Sequence, residues 1–192
     1  ARPQSTRSVC VVGLGYIGLP PASLLCSRGY QVRGVDLAQN VVDTINGGNI
    51  HIVEPDLDVM VRSAVSAGRL QASQEVGPAD VFLIAVPTPI DEDRRPDMSA
   101  VDAAAKAIAP HIKRGDLVIL ESTSPVGTTE DRVAAALAES GLLVGEDVFV
   151  AYCPERVLPG RILTELVEND RVVGGINQRS TDRAIDFYET FV

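Results

Sequence analysis

An α/β doubly wound, Rossmann-like fold with a mostly parallel sheet and helices on both faces is predicted by three features of this 192-residue sequence. Apolar runs and helical stretches alternate along nearly the whole chain, as strands joined by crossover helices do. The apolar runs are nearly continuous, so the strands are buried on both faces, as parallel strands are. A glycine-rich turn stands between the first apolar run and the first helical stretch, where doubly wound folds carry a ligand loop.

The elements follow in order. "SVCVVG" is a strand by its β-branched content and glycine stop. "LPPASLLCSRGY" is a helix that tolerates Pro20-Pro21 near its start and ends at Gly29. "QVRGVD" is the next strand and "AQNVVDTINGG" the next helix. The Glu54-Pro55-Asp56 step reads as a helix entry, with proline at an early helical position. "DVFLIAV" is the third clear strand, and Pro87 ends it. "SAVDAAAKAIAPHI" is an alanine-rich helix with Ser99 as its N-cap. "DLVILES" is a strand, "TTEDRVAAALAESG" a helix stopped by Gly141, and "DVFVAY" a strand. "RVVGGI" is a sixth strand and "QRSTDRAIDFYETFV" the last helix, while "PIDEDRRPDMS" is a polar surface loop.

Composition narrows the function. Hydrophobic residues are 45% of the chain, enough for a sizeable core. Aromatic residues are only 4%, with no tryptophan, which disfavours a cradle that stacks bases or sugars on rings. A net charge of -9 argues against nucleic acid or an anionic membrane as partner. It leaves room for an anionic small molecule held by a local positive site. No apolar run is long enough to span a bilayer, and the leader "ARPQSTRS" has no signal-peptide pattern. Cys10, Cys26 and Cys153 are odd in number and lack a CxxC spacing, as in a reduced, cytoplasmic chain. With only His51 and His111 beside them, no metal site is expected.

Gly13-x-Gly15-x-x-Gly18 fits the dinucleotide fingerprint. Gly13 allows the tight turn, Gly15 lets the backbone approach a pyrophosphate, and Gly18 lets helix and strand pack closely. The following helix N-terminus offers N–H groups to phosphate. The second strand ends in Asp36, eighteen residues after Gly18. A carboxylate there accepts from ribose hydroxyls and repels a 2′-phosphate, so the reading is NAD rather than NADP. Arg33 lies at an odd spacing from Asp36 and points to the other face. The competing reading of the glycines is a tight turn with no ligand.

Ligands of open α/β sheets sit at the carboxyl ends of the strands. Three such ends are unusual here. "AVPTPID" places Thr88 between two prolines, either as a donor to a cofactor or within a rigid turn. "ESTSPVGTTE" carries hydroxyls that are either site groups or helix caps. "YCPERVLPG" carries Glu155 and Arg156, either surface charges or site groups in a proline-framed loop. Cys153 has no base near it in sequence and reads as a buried small residue. Cys10 and Cys26 read as core, and His111 caps its helix or faces water.

Together "VVGLGYIGLP", "GVD", "INGGNIHIVEPDL", "LIAVPTP", "VILESTSPVGTTE" and "YCPERVLPG" resemble the UDP-glucose/GDP-mannose dehydrogenase family over nearly the whole chain. Within the family the nearer likeness is to enzymes that act on UDP-N-acetyl-D-mannosamine, with Arg156 where UDP-glucose enzymes more usually have phenylalanine. The resemblance implies oxidation of a nucleotide sugar's C6 alcohol to the carboxylate with two NAD, through a thioester on a cysteine. It places Gly13, Gly15, Tyr16, Ile17 and Gly18 in the pyrophosphate loop and Asp36 on the adenosine ribose. It places Thr88 and Thr129 on the cofactor and Thr123 near the nicotinamide and the reacting carbon. It assigns Glu155 to the hydrolytic half, activating or positioning water, and Arg156 and Val157 to the nucleotide sugar. The family's Gly-Gly-x-Cys segment does not occur in this chain, and its partner lysine lies outside the matched segments. The resemblance therefore implies that residues 8–192 are the NAD-binding domain of a longer enzyme. The central helix and C-terminal substrate domain would be absent from this chain, and the full-length parent a homodimer or higher homo-oligomer. Rival readings are an NAD-binding module without chemistry, a hydroxyacid-type dehydrogenase, and 6-dehydrogenases of UDP-N-acetylglucosamine or UDP-glucose.

Overall fold

The computed structural model describes residues 7–192; the segment 1–6, which holds most of the leader, lies outside the described residues. One sheet contains β1 (Ser8–Val12), β2 (Gln31–Val35), β3 (Leu70–Ser73), β4 (Val81–Ile84), β5 (Leu117–Leu120), β6 (Phe149–Tyr152) and β7 (Gly174–Gly175). Their order is β3-β2-β1-β4-β5-β6-β7, parallel throughout except that β7 runs against β6. The order reverses at β1, which pairs with β2 on one side and β4 on the other. A crevice therefore opens where β1 and β4 send their connections to opposite faces.

Strand continuity set this arrangement. β4 and β5 are buried at every position, and β1 and β6 at all but one. Alternate residues feed two cores. Val9, Val11, Leu83 and Ile119 pack beneath α1 (Leu19–Ser27), α2 (Gln39–Asn46), α3 (Leu57–Ser66), α6 (Ile162–Glu168) and α7 (Gln178–Tyr188). Cys10, Val12, Ile84 and Leu120 pack beneath α4 (Ser99–Ile108) and α5 (Ala135–Ala138).

Several local expectations are corrected. β3 was not anticipated: four residues alternating buried and exposed at the sheet's end carry no continuous apolar run. "DVFLIAV" is thus the fourth strand in sequence. "RVVGGI" contributes only two antiparallel residues, because the Gly175 N–H turns away to the Thr181 hydroxyl (2.9 Å) at the start of α7. Ser99 is not the N-cap of α4; it is the first helical residue, and its N–H donates to the Asp97 carboxylate (2.9 Å). Pro55 precedes α3 instead of entering it, and Asp56 turns the chain in at φ +64. The helix after β5 opens as a π-helical segment, Thr129–Ala134, before α5. α6 was not anticipated either. Gly29 does cap α1, at φ +95, with its N–H and that of Tyr30 bonded back to Cys26 and Leu25.

Candidate functional site

The register levels the strand ends. Val12 pairs with Val35 and Ile84, Ile84 with Leu120, and Leu120 with Tyr152. Gly13, Asp36, Ala85, Glu121 and Cys153 therefore leave the sheet side by side, and the loops that follow them line one edge.

The glycine loop is built as its spacing predicts. Gly13 sits at φ +98, and a side chain there would run into the Ala85 carbonyl of β4's exit. A side chain on Gly18 would strike the Gly13 carbonyl, so this glycine holds α1 against the turn. Gly15 faces open space. The donors differ from expectation. Pro20 and Pro21 have no N–H, and Leu19 N–H is spent on the Gly15 carbonyl (3.0 Å), so the first turn of α1 offers little to an anion. Among the described residues, the amides of Tyr16, Ile17 and Gly18 donate to no internal acceptor, which shifts that task to the loop itself. Tyr16 is exposed, and Ile17 is half-buried.

Asp36 braces this loop. Its Oδ2 accepts from the Leu14 N–H (3.2 Å) and its Oδ1 from the Ala38 N–H (3.0 Å). Each oxygen keeps a lone pair, and the residue lines a cavity of about 700 Å³. That volume suits a nucleoside-sized ligand. Gly13, Val86 and Pro87 form one wall, and Ala103, Ala107 and His111 another. Arg33 does not line this cavity, but alternation is not the reason: it shares β2's face with Val35, which does line it, and stands further back along the strand, against Gly77. The alanine wall was missed in sequence. Its signal was present as small residues at 100, 103, 104 and 107, spaced to share one helix face. Donors, an acid and an apolar slot with small-residue walls fit a dinucleotide.

The next two strand ends are stitched together. The Thr88 hydroxyl donates to the Thr123 carbonyl (2.8 Å), so its remaining capacity is as an acceptor. The Ser122 hydroxyl donates to the Val86 carbonyl (2.7 Å), and that of Ser124 to the Ser122 carbonyl (2.8 Å). The two serines of "STS" are therefore structural, while Thr123 is exposed at the edge. Thr129 stands half-buried at the first residue of the π-helical segment.

Glu155 is not a solvated surface charge. Its side chain is only 7% exposed, and Oε2 accepts from Arg171 Nη1 at 3.2 Å. Oε1 accepts from the Arg156 N–H (2.7 Å). Arg171 stacks over the Tyr188 ring at 4.7 Å, and Tyr188 donates to Glu121 Oε1 at 2.7 Å. Burial pushes the Glu121 carboxyl up to about 7, and burial raises the Cys153 thiol too. A buried thiol held in its neutral form is no nucleophile. Sequence reasoning missed Arg171, Tyr188 and Glu121, which come from distant elements. The Arg156 guanidinium reaches the Asp170 carbonyl, and Val157 packs half-buried on the core. His51 is exposed, and among the described residues no His, Cys, Asp and Glu cluster could hold a metal. No helix among them is long and apolar enough to cross a membrane.

Comparison with known proteins agrees with this geometry. Residues 7–192 match the UDP-glucose/GDP-mannose dehydrogenase family, NAD binding domain. The chain is 59% identical to an NDP-N-acetyl-D-galactosaminuronic acid dehydrogenase of Ralstonia solanacearum, over 97% of the chain and 46% of the relative. It is 54% identical to the UDP-N-acetyl-D-mannosamine dehydrogenase of Escherichia coli K12, over 98% of the chain and 47% of the relative. The solved UDP-N-acetyl-mannosamine dehydrogenase of Staphylococcus aureus superposes with a TM-score of 0.93 at 42% identity, over 96% of this chain and 45% of that one. The chain spans about half the length of the curated relatives it matches.

Proposed function

This chain belongs to the UDP-glucose/GDP-mannose dehydrogenase family, as an NAD-binding domain, and from that premise we propose that it serves a nucleotide-sugar 6-dehydrogenase. The reaction converts the C6 alcohol of a UDP-N-acetylhexosamine, read here as UDP-N-acetyl-D-mannosamine, to the carboxylate. The observation that carries this reading is the single edge on which the glycine loop, Asp36, the Thr88–Thr123 stitch and Glu155 converge.

NAD, when bound, supplies the hydride acceptor, and two NAD are needed per sugar because the alcohol passes through the aldehyde level with uptake of water. The chain's own residues bind and orient. The amides of Tyr16, Ile17 and Gly18 meet the pyrophosphate, and Asp36 accepts from the ribose. The stitched Thr88 and Thr123 fix the floor on which the nicotinamide and the reacting carbon meet. Glu155, held by Arg171, positions the water that releases the acid. Arg156 and Val157 contact the nucleotide sugar. The cysteine that carries the thioester lies outside this chain's residues, as does the lysine. This domain alone therefore binds NAD and turns over nothing, and the parent enzyme is a homo-oligomer.

A second substrate reading, a nucleotide-linked N-acetylgalactosamine, is favoured by the name of the Ralstonia relative. The test is NADH formation by this chain and by the full-length parent, with NAD and a panel of UDP- and GDP-sugars. Saturable NAD binding by the chain and turnover of UDP-N-acetylmannosamine by the parent support the proposal. Absence of NAD binding, or preference of the parent for a different sugar, overturns its corresponding part.

A further inference from the structure

The structure assigns to Glu54 a task that its sequence context did not announce. In sequence, Glu54-Pro55-Asp56 marks the approach to α3. In the fold its side chain turns away from α3 and crosses to the loop after β6. Glu54 is 5% exposed. Its Oε2 accepts from the Gly160 N–H at 2.7 Å and its Oε1 from the Ile162 N–H at 2.7 Å. Both carboxylate oxygens thus grip one short stretch of backbone, more than a hundred residues away in sequence. Charge-assisted bonds of this length are the strong ones.

The gripped stretch is the far end of the loop that presents Glu155, Arg156 and Val157. Its near end is fixed where Cys153 leaves β6 and donates its N–H to the Leu120 carbonyl (3.0 Å). Gly160 turns at φ +92, and Ile162 is the first residue of α6, with no side-chain cap of its own. Glu54 does the capping from another element. Its own segment rests on the glycine loop, where the Val53 N–H donates to the Tyr16 hydroxyl (3.4 Å). One chain of contacts therefore runs from the pyrophosphate loop through Tyr16, Val53 and Glu54 to the loop carrying Glu155.

We propose that Glu54 is a positioning residue, whose carboxylate fixes the loop bearing Glu155, Arg156 and Val157 relative to the glycine loop. The functional consequence rests on the dehydrogenase reading above; the mechanical one does not. Glu54→Gln keeps the shape, leaves one acceptor for two donors, and sets an NH₂ against a backbone N–H. Glu54→Asp keeps the charge but is too short to reach both amides.

The first measurement is amide hydrogen exchange of this chain, resolved by residue. Glu54→Gln should speed exchange at Gly160 and Ile162 by about tenfold or more, with Glu54→Asp between it and the parent chain. Amides of β1 and β4 should keep their rates. Unchanged rates at Gly160 and Ile162, or an equal rise across the whole sheet, would overturn the proposal; the second result makes Glu54 a general stabiliser. The second measurement uses the full-length enzyme. Glu54→Gln should raise KM for the nucleotide sugar about tenfold while the NAD Kd stays within about twofold. An unchanged KM in an active enzyme overturns the positioning role. An inactive parent enzyme sinks the dehydrogenase reading instead, and the exchange result still decides what Glu54 does.

Discussion

Asp36 does two jobs with one carboxylate. It braces the glycine loop through the Leu14 N–H and faces the cavity where the reading puts a ribose. Asp36→Ala should therefore weaken NAD binding about tenfold or more and narrow the gap between NAD and NADP, since the repulsion of a 2′-phosphate goes too. Parallel titrations with both cofactors check this, and equal Kd values in the unmutated chain would sink it. Glu155 is likewise doubly held, by Arg171 and by the Arg156 N–H. In the full-length enzyme Glu155→Gln should slow release of the acid, so that covalent adduct accumulates and shows by intact mass. Normal turnover without adduct removes Glu155 from the hydrolytic step. Both acids could be located in the sequence, because Asp36 closes β2 and Glu155 lies in the proline-framed loop that follows β6. Arg171, which governs how Glu155 is held, could not, because nothing near it in sequence points to its partner.

At the scale of elements, α4 shows how packing converts a pattern into a wall. Its alanines were legible as helix formers. Ala104 and Ala105 are buried against the sheet, while Ala103 and Ala107 face the cavity with no bulk to fill it. Ala103→Leu should therefore cost about tenfold or more in NAD affinity by overfilling the slot. Its melting temperature should stay close to that of the parent chain, because Ala103 is exposed. A matched pair of cofactor titration and thermal melt separates the two effects, and a variant that binds NAD normally removes α4 from the site. The π-helical start of the next helix belongs to this scale as well. Six residues wind with a wider turn just after the Pro-Val-Gly step, and such turns are frequent at functional sites.

The whole molecule stores a pH dependence at the edge of its first core, the one beneath α7. Glu121 closes β5, lies wholly buried, and is bonded by Tyr188 from the last helix. Burial raises its carboxyl to about 7, while the unfolded chain titrates near the ordinary 4.5. The folded state thus holds a proton that the unfolded state has released. Its contribution is fully present below about pH 4.5 and is lost as pH rises through about 7. Glu121→Gln, neutral at every pH, should match the parent chain in stability near pH 4 and exceed it near pH 8. Denaturant melts at the two values check this, and a pH-independent difference would show that Glu121 does not titrate in that window.

The sequence by itself determined the fold class, the glycine loop, the acid at the end of β2 and the family. Each of these is written in local signals: the period of apolar residues, a three-glycine spacing, and motifs that stay contiguous in the chain. Tertiary structure alone decided what those signals were used for. β3 is a short alternating strand and became visible only when β2 needed a partner. β7 shrank to two glycines because the Gly175 amide serves α7. The free backbone donors moved from α1 to the loop, because two prolines and one internal bond removed the helix's own. Glu54, Glu121 and Arg171 acquired roles across 106, 67 and 16 residues of chain. The physical reason is the same in each case. A hydrogen bond between distant residues depends on where the sheet brings two loops to one edge, and no local pattern in the chain encodes that meeting.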